Sequence, residues 1–209
     1  MASYAIATAS ARATSDDRVA VIERGSSLVV VVADGAGGRA GGAHASTAIE
    51  KAVRDACAAG GDAFDVRAWS ALLREVDGAL AKGFVGETTA IVLAVEDDVV
   101  AGVSAGDSEA WLVGGDEVER LTSKQGRARI GSGRAVPVPF FARIGKRVLV
   151  VASDGLFGQA RREAIVAAAA TGSVAAMAER LREAPRLASG DHPDDLSVVV
   201  IRSTGDVGR

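Results

Sequence analysis

The sequence is short of the residues that carry the most easily recognised chemistry. Its single cysteine, Cys57, excludes an intramolecular disulfide and a cysteine-based zinc site. Aromatic residues make up only 4% of the chain, so a core must be assembled from valine, leucine, isoleucine and alanine. No apolar run reaches the length of a membrane span. The opening MASYAIATASARATSDDR lacks the basic start and unbroken apolar stretch of a signal peptide, so the expected location is the cytoplasm. Neither sign of charge dominates. The 24 basic and 27 acidic residues leave a net charge of −3, which supports neither a nucleic-acid partner nor a polybasic membrane anchor. What remains is 209 residues, 48% apolar and 24% charged, the composition of a folded domain and not of a disordered chain. Residues 1–209 are expected to form one domain, with no linker and no repeat that would divide them.

Hydropathy periods come in blocks. Strands are expected at 4–8, 18–22 and 28–33, the last a near-continuous valine run. Helical spacing follows in Ala45, Ala48, Ile49, Ala52, Val53 and Ala56, then in Val66, Trp69, Leu72, Leu73, Val76 and Leu80. Strands return at 88–95, 99–104, 109–113 and 117–121. A loop-like stretch rich in glycine, proline and basic residues runs over 123–139. A buried strand at 147–152, helices at 161–170 and 174–183, and a last strand at 196–202 complete the chain. Blocks without strict βαβ alternation favour an α+β fold with antiparallel sheets. Valines on both strand faces call for cover on both sides. Two central antiparallel sheets packed as a sandwich and flanked by pairs of helices satisfy that.

The acidic residues are the informative feature. VVVVADGAGG and VLVVASDGLFG each end an apolar strand in Asp-Gly, at Asp34-Gly35 and Asp154-Gly155. A strand tip holds a side chain rigidly and leaves it exposed, and the glycine lets another group come close. Asp16-Asp17 and Asp194-Asp195 precede strands, and Asp107 lies between two. A single Asp-Gly reads as a turn. Five such sites at strand ends read differently, because carboxylates about 4 Å apart repel by roughly 4 kcal/mol at an effective dielectric near 20. Brought together, they need cations. Hard oxygen donors without cysteine select Mg²⁺, Mn²⁺ or Ca²⁺. Arg12, four residues before Asp16, is a candidate grip for a phosphate.

With these residues in view, the chain resembles the metal-dependent Ser/Thr protein phosphatases of the PP2C (PPM) type, in a short bacterial-like form. Six motifs occur in that family's order between about Thr8 and Arg202. They are Arg12 to Asp17, Val32 to Gly38 (a DG-x-GG match), Gly86 to Ala90, Gly106 to Ala110 (like GDSRA), Ala152 to Phe157 (like SDGLW) and Asp194 to Ser197. The resemblance implies a phosphatase that hydrolyses phosphoserine and phosphothreonine by a water activated between two Mn²⁺ or Mg²⁺ ions. It implies that Asp17, Asp34, Asp154 and Asp194 hold the ions, with the Gly35 carbonyl as a further ligand and Asp16 holding water. Asp107 and Asp154 would form a third, weaker site, and Arg12 would bind the phosphoryl oxygens. The implied partners are a phosphorylated protein and a Ser/Thr kinase or its targets, and the expected chain is a monomer. Two ions about 3.5–4 Å apart make a shared water acidic enough to attack phosphorus in line.

The sequence also departs from the family pattern. Ala36 stands where many members carry histidine, so slower turnover is expected. Glu109 replaces the arginine of GDSRA. Asp195 stands where asparagine is usual, and register favours Asp194 as the ligand. The flap, at about 122–146, is short. His192, next to the closing motif, could reach the site edge as a replacement acid, and His44 reads as a surface residue. Two other readings keep the fold: a weak or inactive regulatory binding module, and a small-molecule phosphatase. Gly35 to Ala40 also satisfies the dinucleotide-binding G-x-G-x-x-[GA] pattern. Asp34 would repel a pyrophosphate there, and Asp55, some 20 residues on, lies in a helical stretch.

Overall fold

In the strand β3 (Ser27–Ala33) the valines divide by parity: Val29 and Val31 enter one apolar cluster, Val30 and Val32 another, and all four are fully buried. A strand buried on both faces needs a layer on each side. The computed structural model, which describes residues 2–36, 41–83 and 86–203, supplies four layers. One sheet is ordered β10 (Val138–Arg143), β7 (Val99–Ala105), β6 (Ala90–Glu96), β3, β2 (Arg18–Arg24). The other is ordered β1 (Ser3–Ala9), β12 (Leu196–Arg202), β11 (Val148–Ala152), β8 (Glu109–Gly114), β9 (Glu117–Arg120). All their pairings are antiparallel. Between the sheets lie Val30, Val32, Ile91, Leu93, Leu112, Leu149, Val151 and Val199. Outside the first sheet, α1 (Gly41–Ala58) and α2 (Val66–Gly83) press Ile49, Val53 and Leu73 against Val29, Val31 and Val92. Outside the second, α4 (Arg162–Ala169) and α5 (Val174–Glu183) cover Val150, Val198 and Val200 with Ile165, Met177 and Leu181. This is the helix-flanked sandwich expected from the sequence.

Register decides where the acids go. Ala9 pairs with Leu196, Ala152 with Val198, Arg18 with Ala33, and Ala90 with Ala105. The ends of β1, β3, β7 and β11 and the starts of β2, β6, β8 and β12 therefore share one edge of the sandwich. The connections 10–17 and 106–108 cross from one sheet to the other along that edge.

Some elements differ from the sequence reading. β10 falls in the stretch read as loop and in the unassigned residues after it. Pro139 interrupts its strand pattern, and the structure tolerates it because β10 is an edge strand, paired only with β7. The strand expected at 88–95 is broken at Thr89 into β5 (Glu87–Thr88), which pairs with β4 (Gly35–Ala36), and β6. A one-turn helix, α3 (Asp154–Phe157), begins at the Asp-Gly of the second strand-tip motif. The other expected elements are present, shifted by a few residues at their ends.

Candidate active site

Asp34, Asp107 and Asp154 each offer a carboxylate oxygen within 4.8 Å of the others. They come from the ends of β3, β7 and β11. Asp17, only 5% exposed, precedes β2 and joins them through Ser153: the Ser153 Oγ–H donates to Asp17 Oδ2 (2.7 Å) while the same Oγ accepts from the Ser197 N–H (3.0 Å). Asp17 Oδ1 is buried and has no hydrogen-bond partner among the described residues. Asp194 lies close enough for its charge to raise the Asp154 pKa.

Two glycines let this edge close. A Cβ on Gly35 would run into the Gly42 backbone at the start of α1 and lie 2.6 Å from the Asp16 carbonyl oxygen. A Cβ on Gly155 would overlap the Asp195 carbonyl. The backbone of Asp34 is fixed from both sides. Its N–H donates to Thr89 Oγ1 (3.0 Å), and its carbonyl accepts from the Thr89 N–H (2.8 Å) and Thr88 Oγ1 (2.9 Å).

Electrostatically the cluster is a concentration of like charge. Burial, then the charges of Asp17 and Asp154 and a hydrogen bond shared with Asp154, push Asp34 up to about 9, against the lowering pull of Arg129. Burial raises Asp17 to about 6, opposed by hydrogen bonds from Ser153 and Ser197 and assisted by the charges of Asp195 and Asp154. Asp154 is raised first by burial, then by Asp107 and Asp194, with Asp34 and Arg129 acting against the shift. Such a set favours the bound proton or, better, a bound cation.

The acid pair before β12 divides its work. Asp195, 6% exposed, accepts from Ser10 Oγ (3.1 Å) and the Ala11 N–H (2.9 Å) on one oxygen and from the Asp16 N–H (2.9 Å) on the other. Both its oxygens are thereby committed to the 10–16 loop. Asp194 accepts only the Asp195 N–H (2.9 Å) among the described residues, on Oδ1. Asp16 sits beside Arg12, whose Nη1 is 3.9 Å from its carboxylate and whose side chain is 64% exposed.

The other sequence candidates have separate surroundings. The His192 Nε2–H donates to the Arg182 carbonyl at the end of α5 (2.9 Å), so this ring is held to the helix and not offered as an acid. His44 is exposed on α1 and Cys57 is buried in the core, both as expected. Ala36 pairs with Glu87 in the small β4–β5 ladder. Gly37, Gly38, Arg39 and Ala40, the rest of the DG-x-GG and dinucleotide-like stretch, lie outside the described residues, as do Phe84 and Val85 before the Gly86 motif.

Sequence reasoning passed over two residues. Arg129 Nη2 bonds both Asp107 oxygens (3.0 and 3.3 Å), and no periodicity marks an arginine in an irregular stretch. Asp77 lies on the buried face of α2 between Leu73 and Leu80 and accepts from the N–H groups of Gly131 (2.7 Å), Gly133 (2.9 Å) and Ala135 (3.1 Å). A charged residue on an apolar helical stripe is a readable signal for such a buried clasp.

The chain as a whole is similar to known proteins. The family model of Stage II sporulation protein E (SpoIIE) matches residues 24–204. The chain belongs to the SpoIIE family. No curated protein matches it in sequence. Among solved structures, the Staphylococcus aureus serine/threonine phosphatase Stp1 superposes with a TM-score of 0.82 at 17% identity, covering 98% of this chain and 95% of that one. The catalytic domain of the serine/threonine protein phosphatase PstP in complex with two manganese ions gives 0.79 at 23% identity, covering 96% and 97%. The Mycobacterium tuberculosis phosphatase PstP/Ppp gives 0.80 at 22% identity, with the same coverage. The SpoIIE-family chain thus has the fold of the PP2C-type phosphatases, as its motifs implied.

Proposed function

We propose that this SpoIIE-family chain is a metal-dependent phosphoprotein phosphatase that hydrolyses phosphoserine and phosphothreonine in cytoplasmic proteins, the targets of a Ser/Thr kinase. The observation that carries the reading is the set of mutually repelling carboxylates, partly or fully withdrawn from solvent, at one sandwich edge, with Asp17 Oδ1 buried and without a partner among the described residues. Oxygen donors of this hardness and charge fit Mn²⁺ or Mg²⁺. Support comes from the two manganese ions held by PstP on the same fold. Asp17, Asp34, Asp154 and Asp194 are assigned as the residues that hold two ions, with the Gly35 carbonyl as a further ligand. When bound, such ions supply an acidic water as nucleophile and stabilise charge on the phosphoryl oxygens.

The chain's own residues do the rest. Arg12, exposed and only loosely paired with Asp16, is placed to grip two phosphoryl oxygens of an incoming phosphoester. Asp16 orients water beside it. Asp195 holds the loop that carries both. Ala36 supplies no proton to the departing serine or threonine oxygen, so the reaction depends on the leaving group. Hydrolysis of p-nitrophenyl phosphate, whose phenolate leaves without help, is expected to be at least about tenfold faster than that of a phosphothreonine peptide. Both activities should require added Mn²⁺ and vanish with EDTA. Turnover undiminished by EDTA would contradict the proposal. No turnover of any phosphoester in Mn²⁺ would favour a regulatory binding module, to which Ala36 also points.

A further inference from the structure

Arg129 and Arg12 pair with different acids of this edge and in different ways. Arg12 is mostly exposed and 3.9 Å from its partner. Arg129 has a side chain 31% exposed, bonds both oxygens of Asp107, and buries its Nε–H without an acceptor among the described residues. The segment that carries it is tied down on every side. Ile130 and Thr88 exchange two backbone hydrogen bonds (2.9 and 2.8 Å), which joins the residue after Arg129 to the strand that holds the Asp34 carbonyl. The Arg129 carbonyl accepts from Ser132 Oγ (2.6 Å). Asp77 clasps the next turn through three N–H groups. On the other side Gln125 Nε2 donates to the Ser108 carbonyl (2.7 Å), one residue from Asp107. An arginine held in this way loses little further freedom when it pairs.

Asp107 is also one of three acids whose oxygens lie within 4.8 Å of one another, and Asp34 and Asp154 both feel the Arg129 charge. We propose that the Arg129 guanidinium is a resident cation of this site, standing beside Asp107 where a third divalent ion would otherwise bind, so that the chain takes up two ions and not three. The inference rests on the phosphatase reading above and deepens it. A fixed monovalent charge neutralises Asp107 at any metal concentration and repels a divalent ion from the same carboxylate. Arg129 is therefore a positioning residue for the metal set. It does not touch the substrate in this role.

The test is the number of bound ions, read by Mn²⁺ electron paramagnetic resonance and by metal analysis after equilibrium dialysis at up to millimolar Mn²⁺. The unmodified chain is expected to bind two ions. Arg129→Gln should bind a third, and Arg129→Lys, which keeps the charge, should stay at two. Asp107→Asn, made in the chain with Arg129 intact, should leave the count at two, and this arm is independent of whether Arg129→Gln folds. Three ions in the unmodified chain, two in folded Arg129→Gln, or a count lowered by Asp107→Asn would overturn the inference and leave the phosphatase reading standing. No bound ion in any of these proteins would overturn both.

Discussion

Asp34→Asn should lower phosphatase activity by about 10³-fold or more, equal to about 4 kcal/mol of barrier, while making the metal-free protein more stable. The two effects have one cause. Asp34 sits among Asp17, Asp154 and Asp107 with its pKa pushed up to about 9 by burial and by its neighbours. A carboxyl whose folded pKa exceeds its unfolded value near 3.9 keeps its proton in the folded chain when the unfolded chain has lost it. Its contribution to stability is fully present below the unfolded value and is lost as pH rises through the folded value. At neutral pH the metal-free chain must therefore take up a proton on Asp34 in order to fold, and that uptake costs stability. Asparagine has nearly the same shape, is neutral at every pH and needs no proton to fold. A gain of about 2 kcal/mol, or roughly 4–8 °C in melting temperature for a chain of this size, is expected without metal. The gap should widen between about pH 4 and pH 9. Mn²⁺ should raise the melting temperature of the parent and not of the variant. Thermal scans with and without Mn²⁺, across pH, check each part. Retained activity, or a variant less stable than the parent without metal, would contradict the account.

Asp195→Ala should have the next largest effect, by a different route. Asp195 is buried and accepts from Ser10 Oγ, the Ala11 N–H and the Asp16 N–H, so alanine strands three donors at once. Bonds to a charged acceptor are strong, and a loss of about 3 kcal/mol in urea unfolding is expected. The released loop carries Arg12, Asp16 and Asp17, and misplacing such groups by about 1 Å costs on the order of 10²-fold in kcat/KM. Asp194→Asn separates the two jobs. Its Oδ1 can still accept the Asp195 N–H. Stability should stay within about 0.5 kcal/mol of the parent in the absence of metal while Mn²⁺ affinity falls. If the two substitutions behaved alike, the division of labour between the adjacent acids would be wrong.

The sandwich was legible because its strands are buried on both faces: an unbroken valine run such as 28–33 has few other homes. The acids at strand tips were legible because Asp-Gly after such a run is an unusual place to put a charge. β10 was hidden by Pro139, which only an edge position tolerates, and that position belongs to tertiary structure. Arg129 was hidden because an irregular strap has no period. Its place depends on Asp77 reaching out of α2 and on the bridge from Ile130 to Thr88, both contacts over long separations in the chain. The roles of Asp194 and Asp195 also needed coordinates, since the choice turns on which carboxylate the 10–16 loop consumes.

The most direct measurement is anomalous diffraction at the manganese edge from crystals of this chain soaked in Mn²⁺. The account predicts two strong peaks at the sandwich edge, within coordination distance of Asp17, Asp34, Asp154, Asp194 and the Gly35 carbonyl, with Arg129 still on Asp107. Soaked crystals without peaks at that edge, or with ions bound only elsewhere, would contradict it.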